Sequence, residues 1–294
     1  MRAVAPGSGV IAVLGLVSAV VYGASDFFGG LAARRMSALL SSALGCAVAV
    51  IVAGIAVAAE GPAWSWSDVV LSLVAGVFGS IGTWAFYAGL AVGPMSIVSP
   101  GVAMIYAVVP AIVGVAVLGE EFSPLGYVAL TAVVVAALLL AVPRQRDGTR
   151  LTPRAILLGT VAGLGYAGYI VMMDRTSAAS GLAPLLIELA VGVVVYAGAL
   201  GVNLVRSGPG ELTGVRETRS TVQALLGGLL LAIATILLVI GLHLGDLAVM
   251  GVLNALYPLG TVLLALVVLR ERLSPVQLVG IALALGASVV LALS

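Results

Sequence analysis

The chain has 294 residues, of which 62% are hydrophobic and 9% are charged, and its formal net charge is +1. Soluble domains are about 45–50% apolar and about 25% charged, so this composition excludes an ordinary soluble globular protein. The net charge by itself indicates no class of partner.

Apolar runs follow one another along the whole chain. Each is close to the roughly 20 residues that a helix needs to cross about 30 Å of hydrocarbon. The runs are long and continuously apolar, which favours helices over the alternating strands of a membrane barrel. We therefore predict an all-α membrane protein with ten transmembrane helices at about 9–31, 38–59, 69–91, 96–118, 125–142, 155–173, 183–205, 222–242, 246–269 and 275–293.

The first run is longer than the apolar core of a secretory signal and ends in "ARR", so we expect it to be retained.

The first five predicted helices have counterparts in the last five. "YAGLAVGPMSIVSP" from Tyr87 is matched by "VIGLHLGDLAVMGV" from Val239. "LGEEFSPLGYVAL" is matched by "LRERLSPVQLVGI", with Glu120 and Glu271 in the same frame. An odd number of helices turns the second copy upside down, as in many secondary transporters. We predict inverted five-helix repeats at 1–143 and 155–294, joined by an arginine-rich loop at 144–154. A duplicated bundle without transport activity is the alternative.

Positive charge is confined to arginine and is distributed unevenly between the loops. The loops between helices 1–2, 5–6, 7–8 and 9–10 hold eleven of the thirteen arginines, and the opposite side has only Arg2 and Arg175. Short loops rich in positive charge stay in the cytoplasm. The bias therefore predicts that both termini lie outside. The eleven are Arg34, Arg35, Arg144, Arg146, Arg150, Arg154, Arg206, Arg216, Arg219, Arg270 and Arg272.

Several stretches resemble the EamA-type transporters of the drug/metabolite transporter superfamily. They are "GASDFFGGLAARR", "FYAGLAVGPMSIVSP", "LGEEFSP" and "LYPLGTVLLALVVLRERLSPVQLVGIALALGASVVLAL". The likeness covers essentially the whole chain, and the glutamate-centred turn in each half is its most specific part. It implies a ten-helix carrier that works by alternating access and moves small polar metabolites or drug-like compounds, often amino acids. It also implies cytoplasmic termini, the opposite of the arginine bias.

Two acids fall inside predicted helices. An ionised carboxylate at the centre of a membrane helix costs about 2.5–3.5 kcal/mol on insertion scales, and such groups usually face a bundle interior or a wet cavity. Asp26 shares a face with Ser18 and Tyr22, and Glu188 shares one with Tyr196. We predict that both acids line a cavity, where they would load and release protons. Headgroup-level hydration and interhelical bonding are the alternatives.

The remaining site candidates are an amide and several aromatic residues. Met250, Asn254, Tyr257 and Thr261 form one stripe of the ninth helix, and the Asn254 amide suits a zwitterionic or polyol substrate. Interhelical bonding is an equal alternative for Asn254. Aromatic rings can wall a cavity or simply pack. The predicted substrate-binding residues are Tyr22, Asp26, Trp84, Tyr87, Tyr166, Glu188, Asn254 and Tyr257.

Signatures of catalysis and of cofactors are missing from the sequence. His243 is the single histidine and Cys46 the single cysteine, so no metal site or intrachain disulfide is expected. No P-loop occurs, which argues against ATP as the direct energy source. We expect a non-enzymatic secondary transporter with no cofactor. The alternative is a carrier or flippase for a lipid-linked substrate.

For partners, we expect a small-molecule substrate and the lipid bilayer, but no nucleic acid. The coupling ion and the choice between monomer and homodimer stay open. The expected location is the cytoplasmic membrane of a prokaryote.

Overall fold

A computed structural model describes residues 8–33, 35–92, 95–140, 152–208, 217–258, 260, 264 and 275–293. The described residues are helical, without a strand. Glu271 and most of the loop predicted at 144–154 lie outside them.

The helices of the described residues follow the predicted apolar runs closely, which confirms the all-helical class. A short 3₁₀ turn, Ala178–Ser180, precedes α7, and a π-helical turn, Val113–Val117, extends α4. The helices are α1 Ser8–Ala33, α2 Ala38–Glu60, α3 Trp66–Val92, α4 Met95–Ile112, α5 Pro124–Leu140, α6 Pro153–Asp174, α7 Ala183–Ser207, α8 Thr218–Leu244, α9 Leu247–Asn254 and α10 Pro275–Leu293.

Among the described residues, six helices are long and apolar enough to cross a bilayer. Shorter apolar helices occupy Val102–Val117, Pro124–Ala136 and Leu278–Ala287. The protein is therefore an integral membrane protein. The six long segments are Gly9–Ala33, Ala38–Glu60, Trp66–Phe86, Pro153–Asp174, Ala183–Arg206 and Thr218–Leu244.

Side-chain caps fix where two of these helices begin. The Ser37 hydroxyl accepts a hydrogen bond from the Leu40 amide at the start of α2. The Thr152 hydroxyl accepts one from the Ala155 amide at the start of α6, where proline occupies the first turn. Both are standard solutions for the amides that a helix leaves unpaired at its N-terminus.

The ninth helix breaks near its proline. The sequence predicts a helix over 246–269 that Pro258 interrupts, and in the structure α9 ends at Asn254 and residues 255–257 form a turn. The reason is Pro258, because a proline ring clashes with the carbonyl four residues earlier, which belongs to Asn254. The predicted stripe through Asn254 and Tyr257 therefore does not continue along one straight helix. Thr261 lies outside the described residues.

Helix packing is symmetric between the first and the last five helices. Helices α1–α5 correspond in order to α6–α10. The contact of α1 with α8 therefore corresponds to that of α6 with α3, and the contact of α2 with α8 corresponds to that of α7 with α3. The pairs α2–α7, α4–α9 and α5–α10 each join matching helices. Exchanging the two halves therefore leaves this pattern of contacts unchanged.

Glycine pairs allow the closest of these approaches. A Cβ atom at Gly165 would lie 2.7 Å from the Gly82 Cα atom, and one at Gly228 would lie 2.7 Å from the Gly45 Cα atom. Larger residues at these crossings would push α3 from α6 and α2 from α8, so glycine determines these contacts.

Hydrogen bonds link the halves on one side of the bundle, which we call the Glu120 side. The Glu120 carboxylate accepts from the Leu247 amide, and Glu60 accepts from the Leu182 amide at 2.8 Å. Ser180 donates to Asp68 at 2.6 Å. The Ala63 amide also donates to the Ala179 carbonyl across the two halves. On the same side, but within the second half, Thr176 is hydrogen-bonded to His243.

On the opposite side, which we call the Arg35 side, the described residues contain an ion pair between Arg35 and Glu217.

Candidate functional site

A cavity of about 80 Å³ lies between the first three helices of each half, α1, α2, α3, α6, α7 and α8. This volume holds a few water molecules or a small solute. Small and hydroxyl-bearing residues supply much of its wall, and Glu188 supplies a carboxylate. Four tyrosines also line it: Tyr22, Tyr166, Tyr169 and Tyr196.

Hydrogen bonds hold two of these tyrosines. The Tyr166 hydroxyl donates to the Thr83 hydroxyl at 3.3 Å, and the Tyr196 hydroxyl donates to the Ser80 carbonyl at 3.4 Å. Thr83 and Ser80 both lie on α3, so one helix of the first half positions rings from two helices of the second half. This arrangement fixes the aromatic faces across the interface between the halves.

Two polar atoms in the cavity wall are buried without a hydrogen-bond partner among the described residues. They are Oε2 of Glu188 and the hydroxyl oxygen of Tyr169. The two side chains flank Gly79, since a Cβ atom there would lie 3.1 Å from Oε1 of Glu188 and 3.6 Å from the Tyr169 ring. Gly79 therefore leaves the space that these two groups share.

Asn254 lies behind the aromatic wall, and both its amide nitrogen and its amide oxygen are hydrogen-bonded. Its amide nitrogen donates to the Tyr106 hydroxyl at 2.7 Å, and its oxygen accepts from the Ser18 hydroxyl at 3.0 Å. The Tyr106 ring contacts the Tyr166 ring edge-to-face, with centroids 6.1 Å apart. Asn254 is 1% exposed and is not in the cavity wall. Its hydrogen bonds join α9 to other helices, as the alternative of interhelical bonding predicts.

The other predicted site residues are spread over different environments. Asp26 follows the cavity residue Ser25 but does not line the cavity itself. Tyr257 is buried, with 5% of its surface exposed, and also lies outside the cavity wall. The side chain of Tyr87 is outside the described part of the chain.

Trp84 does not wall the cavity and is 54% exposed. It continues an exposed stripe of α3 whose members recur every three or four residues, as expected for a face in contact with lipid. The stripe consists of Val70, Val74, Val77, Ile81 and Trp84. The structure thus joins Tyr22, Tyr166 and Glu188 in one cavity and separates Trp84 from them.

Some cavity residues carry little signal in the sequence. Tyr169 is a weak candidate there because aromatic residues usually pack, and Ser80 and Thr83 read as small packing residues. Only Tyr196 has a usable signal, because it follows Glu188 on the same helical face. An unpartnered oxygen is visible only once the neighbouring helices are in place.

Glu120 differs from Glu188 because backbone amides occupy both of its oxygens. It accepts from Leu247 at 2.7 Å and from Ala248 at 3.0 Å, in the first turn of α9. Burial raises the pKa of the Glu120 carboxyl above its ordinary value, and nearby Asp246 adds to this, whereas the two hydrogen bonds lower it. A carboxylate at a helix N-terminus satisfies amides that otherwise lack partners.

The second half of the chain matches a known family. The model of the EamA-like transporter family matches residues 153–293. These residues belong to the EamA-like transporter family. The resemblance seen in the sequence is thereby confirmed, and membership indicates a membrane transporter of the drug/metabolite superfamily.

A solved structure shares the fold of this protein. The protein in that crystal structure superposes with a TM-score of 0.73 over 95% of each chain, at 18% sequence identity. At this identity the likeness concerns the fold alone. No curated protein matches the chain.

Proposed function

We propose that this protein is a secondary active transporter that moves a small polar metabolite or drug-like compound across the membrane by alternating access. The cavity between the two halves is the observation that carries the proposal. Secondary transporters built from repeats bind substrate at the interface between the repeats. Here α1, α2 and α3 of one half and α6, α7 and α8 of the other enclose the cavity together.

The contacts at the two sides of the bundle support an inverted arrangement of the halves. α1 begins on the Glu120 side, because Gly245 lies against Ile11, and ends near Arg35 on the other side. α6 ends on the Glu120 side, where Thr176 meets His243. The first helices of the two halves therefore run in opposite directions.

The second and third helices are opposed in the same way. α2 ends on the Glu120 side at Glu60, whereas α7 begins there, next to Leu182. α3 begins there at Asp68, and α8 ends there after His243. We propose ten transmembrane helices in two inverted repeats, 1–143 and 155–294.

The hydrogen bonds of the Glu120 side also support alternating access. Each of them joins a residue of the first half to one of the second, or α6 to α8, so they hold the bundle together on that side. A carrier that opens to both sides must break such contacts in part of its cycle. We propose that these bonds form in the state that is closed on the Glu120 side.

Counterflow in proteoliposomes tests the proposal. Liposomes with purified protein and an unlabelled compound inside should accumulate the labelled compound from outside, whereas empty liposomes should not. A panel of small amines, amino acids, sugars and lipid-linked compounds covers the candidate classes. Exchange of a small polar compound supports the proposal. Exchange of lipid-linked compounds alone would favour the lipid-linked carrier.

A second experiment tests the orientation. If the arginine-rich loops are cytoplasmic, the Glu120 side and both termini face outward. A C-terminal alkaline phosphatase fusion should then be active and a C-terminal GFP fusion dark. The reverse pattern would place the termini in the cytoplasm, as the family resemblance implies, without affecting the relation between the halves.

A further inference from the structure

The cavity carries a negative group and four aromatic rings, but no positive residue. Glu188 is the acidic residue of its wall, and the wall includes no arginine, lysine or histidine within the described chain. Such a site attracts cations and repels anions. An aromatic ring face also attracts cations within about 6 Å of its centre.

Oε2 of Glu188 is a buried acceptor that the described residues leave free for a group inside the cavity. Buried polar atoms are nearly always hydrogen-bonded, so each exception requires an explanation. An ionised carboxylate needs a donor at Oε2, and a protonated one needs an acceptor for its hydrogen. The described residues supply neither to this atom. Protonation alone therefore leaves the oxygen unsatisfied.

We propose that the cavity binds a small organic ammonium ion, with the Glu188 carboxylate accepting its N–H hydrogens. This inference rests on the proposed transport function and names its substrate class. The faces of Tyr22 and Tyr169 surround the cation, and the free Tyr169 hydroxyl accepts a further N–H hydrogen. The cavity volume of about 80 Å³ limits the ion to a short side chain.

The same site disfavours free amino acids, because a substrate carboxylate would lie close to Glu188 without a positive partner. Four cavity hydroxyls already donate their hydrogens to backbone carbonyls and are not free for a carboxylate. They are those of Ser25, Ser41, Ser80 and Thr235.

A metal cation also fits poorly. Hard metal ions take about six or more oxygen ligands, and only two cavity oxygens here are buried without a partner.

Direct binding measurements test the substrate class. Purified protein in lipid nanodiscs is titrated by calorimetry with valine, with isobutylammonium, which is valine without its carboxylate, and with 3-methylbutanoate, which is valine without its ammonium group. The ammonium ion should bind, valine should bind at least about tenfold more weakly, and the carboxylate should not bind. Binding of valine as tight as that of the amine would overturn the proposal. Saturable binding of sodium chloride that depends on Glu188 would do the same.

Variants test the residues. Glu188→Gln keeps the shape and removes the charge, and it should weaken isobutylammonium binding by about 10- to 100-fold. Glu217→Gln is the matched control, since Glu217 pairs with Arg35 and neither residue lines the cavity, so the affinity for isobutylammonium should be unchanged. Tyr169→Phe keeps the ring and loses the hydroxyl, so a loss of a few-fold is expected. Unchanged binding in Glu188→Gln would contradict the assignment. Because the three ligands are compared on the unaltered chain, misfolding of a variant does not remove the test.

The counterflow experiment separates this inference from the proposed function. Amine binding without amine counterflow would support the site and refute transport. Counterflow of amino acids or sugars without amine binding would support transport and refute the ammonium site.

Discussion

Glu120 and Glu188 are the same residue type in two contrasting environments. Both oxygens of Glu120 accept backbone hydrogen bonds at the start of α9, whereas Oε2 of Glu188 has no partner among the described residues. A carboxylate whose hydrogen bonds are complete within the chain stabilises the fold. One whose bonds are incomplete is available to a ligand. The comparison thus separates a structural acid from the acid that we propose binds a ligand.

The largest effect is expected from Glu120→Ala. It leaves two amides of α9 without their acceptor, and hydrogen bonds to charged groups contribute about 1.5–3 kcal/mol each, so the free energy of unfolding should fall by about 3–6 kcal/mol. Unfolding in mixed detergent micelles with increasing SDS measures the change. A loss below about 0.5 kcal/mol would show that Glu120 is not a structural acid.

The pH dependence of the free energy of unfolding should also show the contribution of Glu120 to the fold. Burial, together with Asp246, raises the pKa of Glu120 in the folded protein, so protonation of this group favours folding. Relative to Glu120→Gln, which does not titrate here, the free energy of unfolding should rise as the pH falls through the raised pKa. It should level off below the ordinary glutamate pKa of about 4.3. Paired unfolding curves measure the difference, and a fall on acidification would reverse the sign.

Glu60→Ala should cost less than Glu120→Ala. Among the described residues, Glu60 accepts a hydrogen bond from one amide, that of Leu182 at 2.8 Å, whereas Glu120 accepts from two. A loss of about 1–2 kcal/mol in the free energy of unfolding is therefore expected. The same SDS titration measures it. A loss equal to that of Glu120→Ala would mean that the number of amide hydrogen bonds a carboxylate accepts does not determine the loss of stability.

The smallest effect on stability is expected from Glu188→Gln. The wild-type carboxylate has an unpartnered oxygen, so replacing it by an amide should change the free energy of unfolding by less than about 1 kcal/mol. It should nonetheless reduce ligand binding strongly. SDS unfolding without ligand measures the first quantity. A loss of several kcal/mol would make Glu188 a structural acid like Glu120.

The sequence predicts part of the candidate site, because acids inside membrane helices are rare, and so are tyrosines at corresponding positions of the two halves, such as Tyr22 and Tyr166. Tyr22, Tyr166 and Glu188 do line one cavity. Trp84 shows the limit, because an aromatic residue can face lipid as readily as a cavity. Its face follows from the exposed stripe of α3, which depends on where α6 and α7 pack.

The sequence by itself determined that this protein lies in a membrane and where its helices form, and it predicts a correspondence between its halves. Hydrophobicity and periodicity are local properties that need no knowledge of neighbours. Only the tertiary structure decided that Glu120 and Asn254 find their hydrogen-bond partners and that one oxygen of Glu188 lacks one among the described residues. The hydrogen bonds of Glu120 and Asn254 join atoms that are more than a hundred residues apart along the chain.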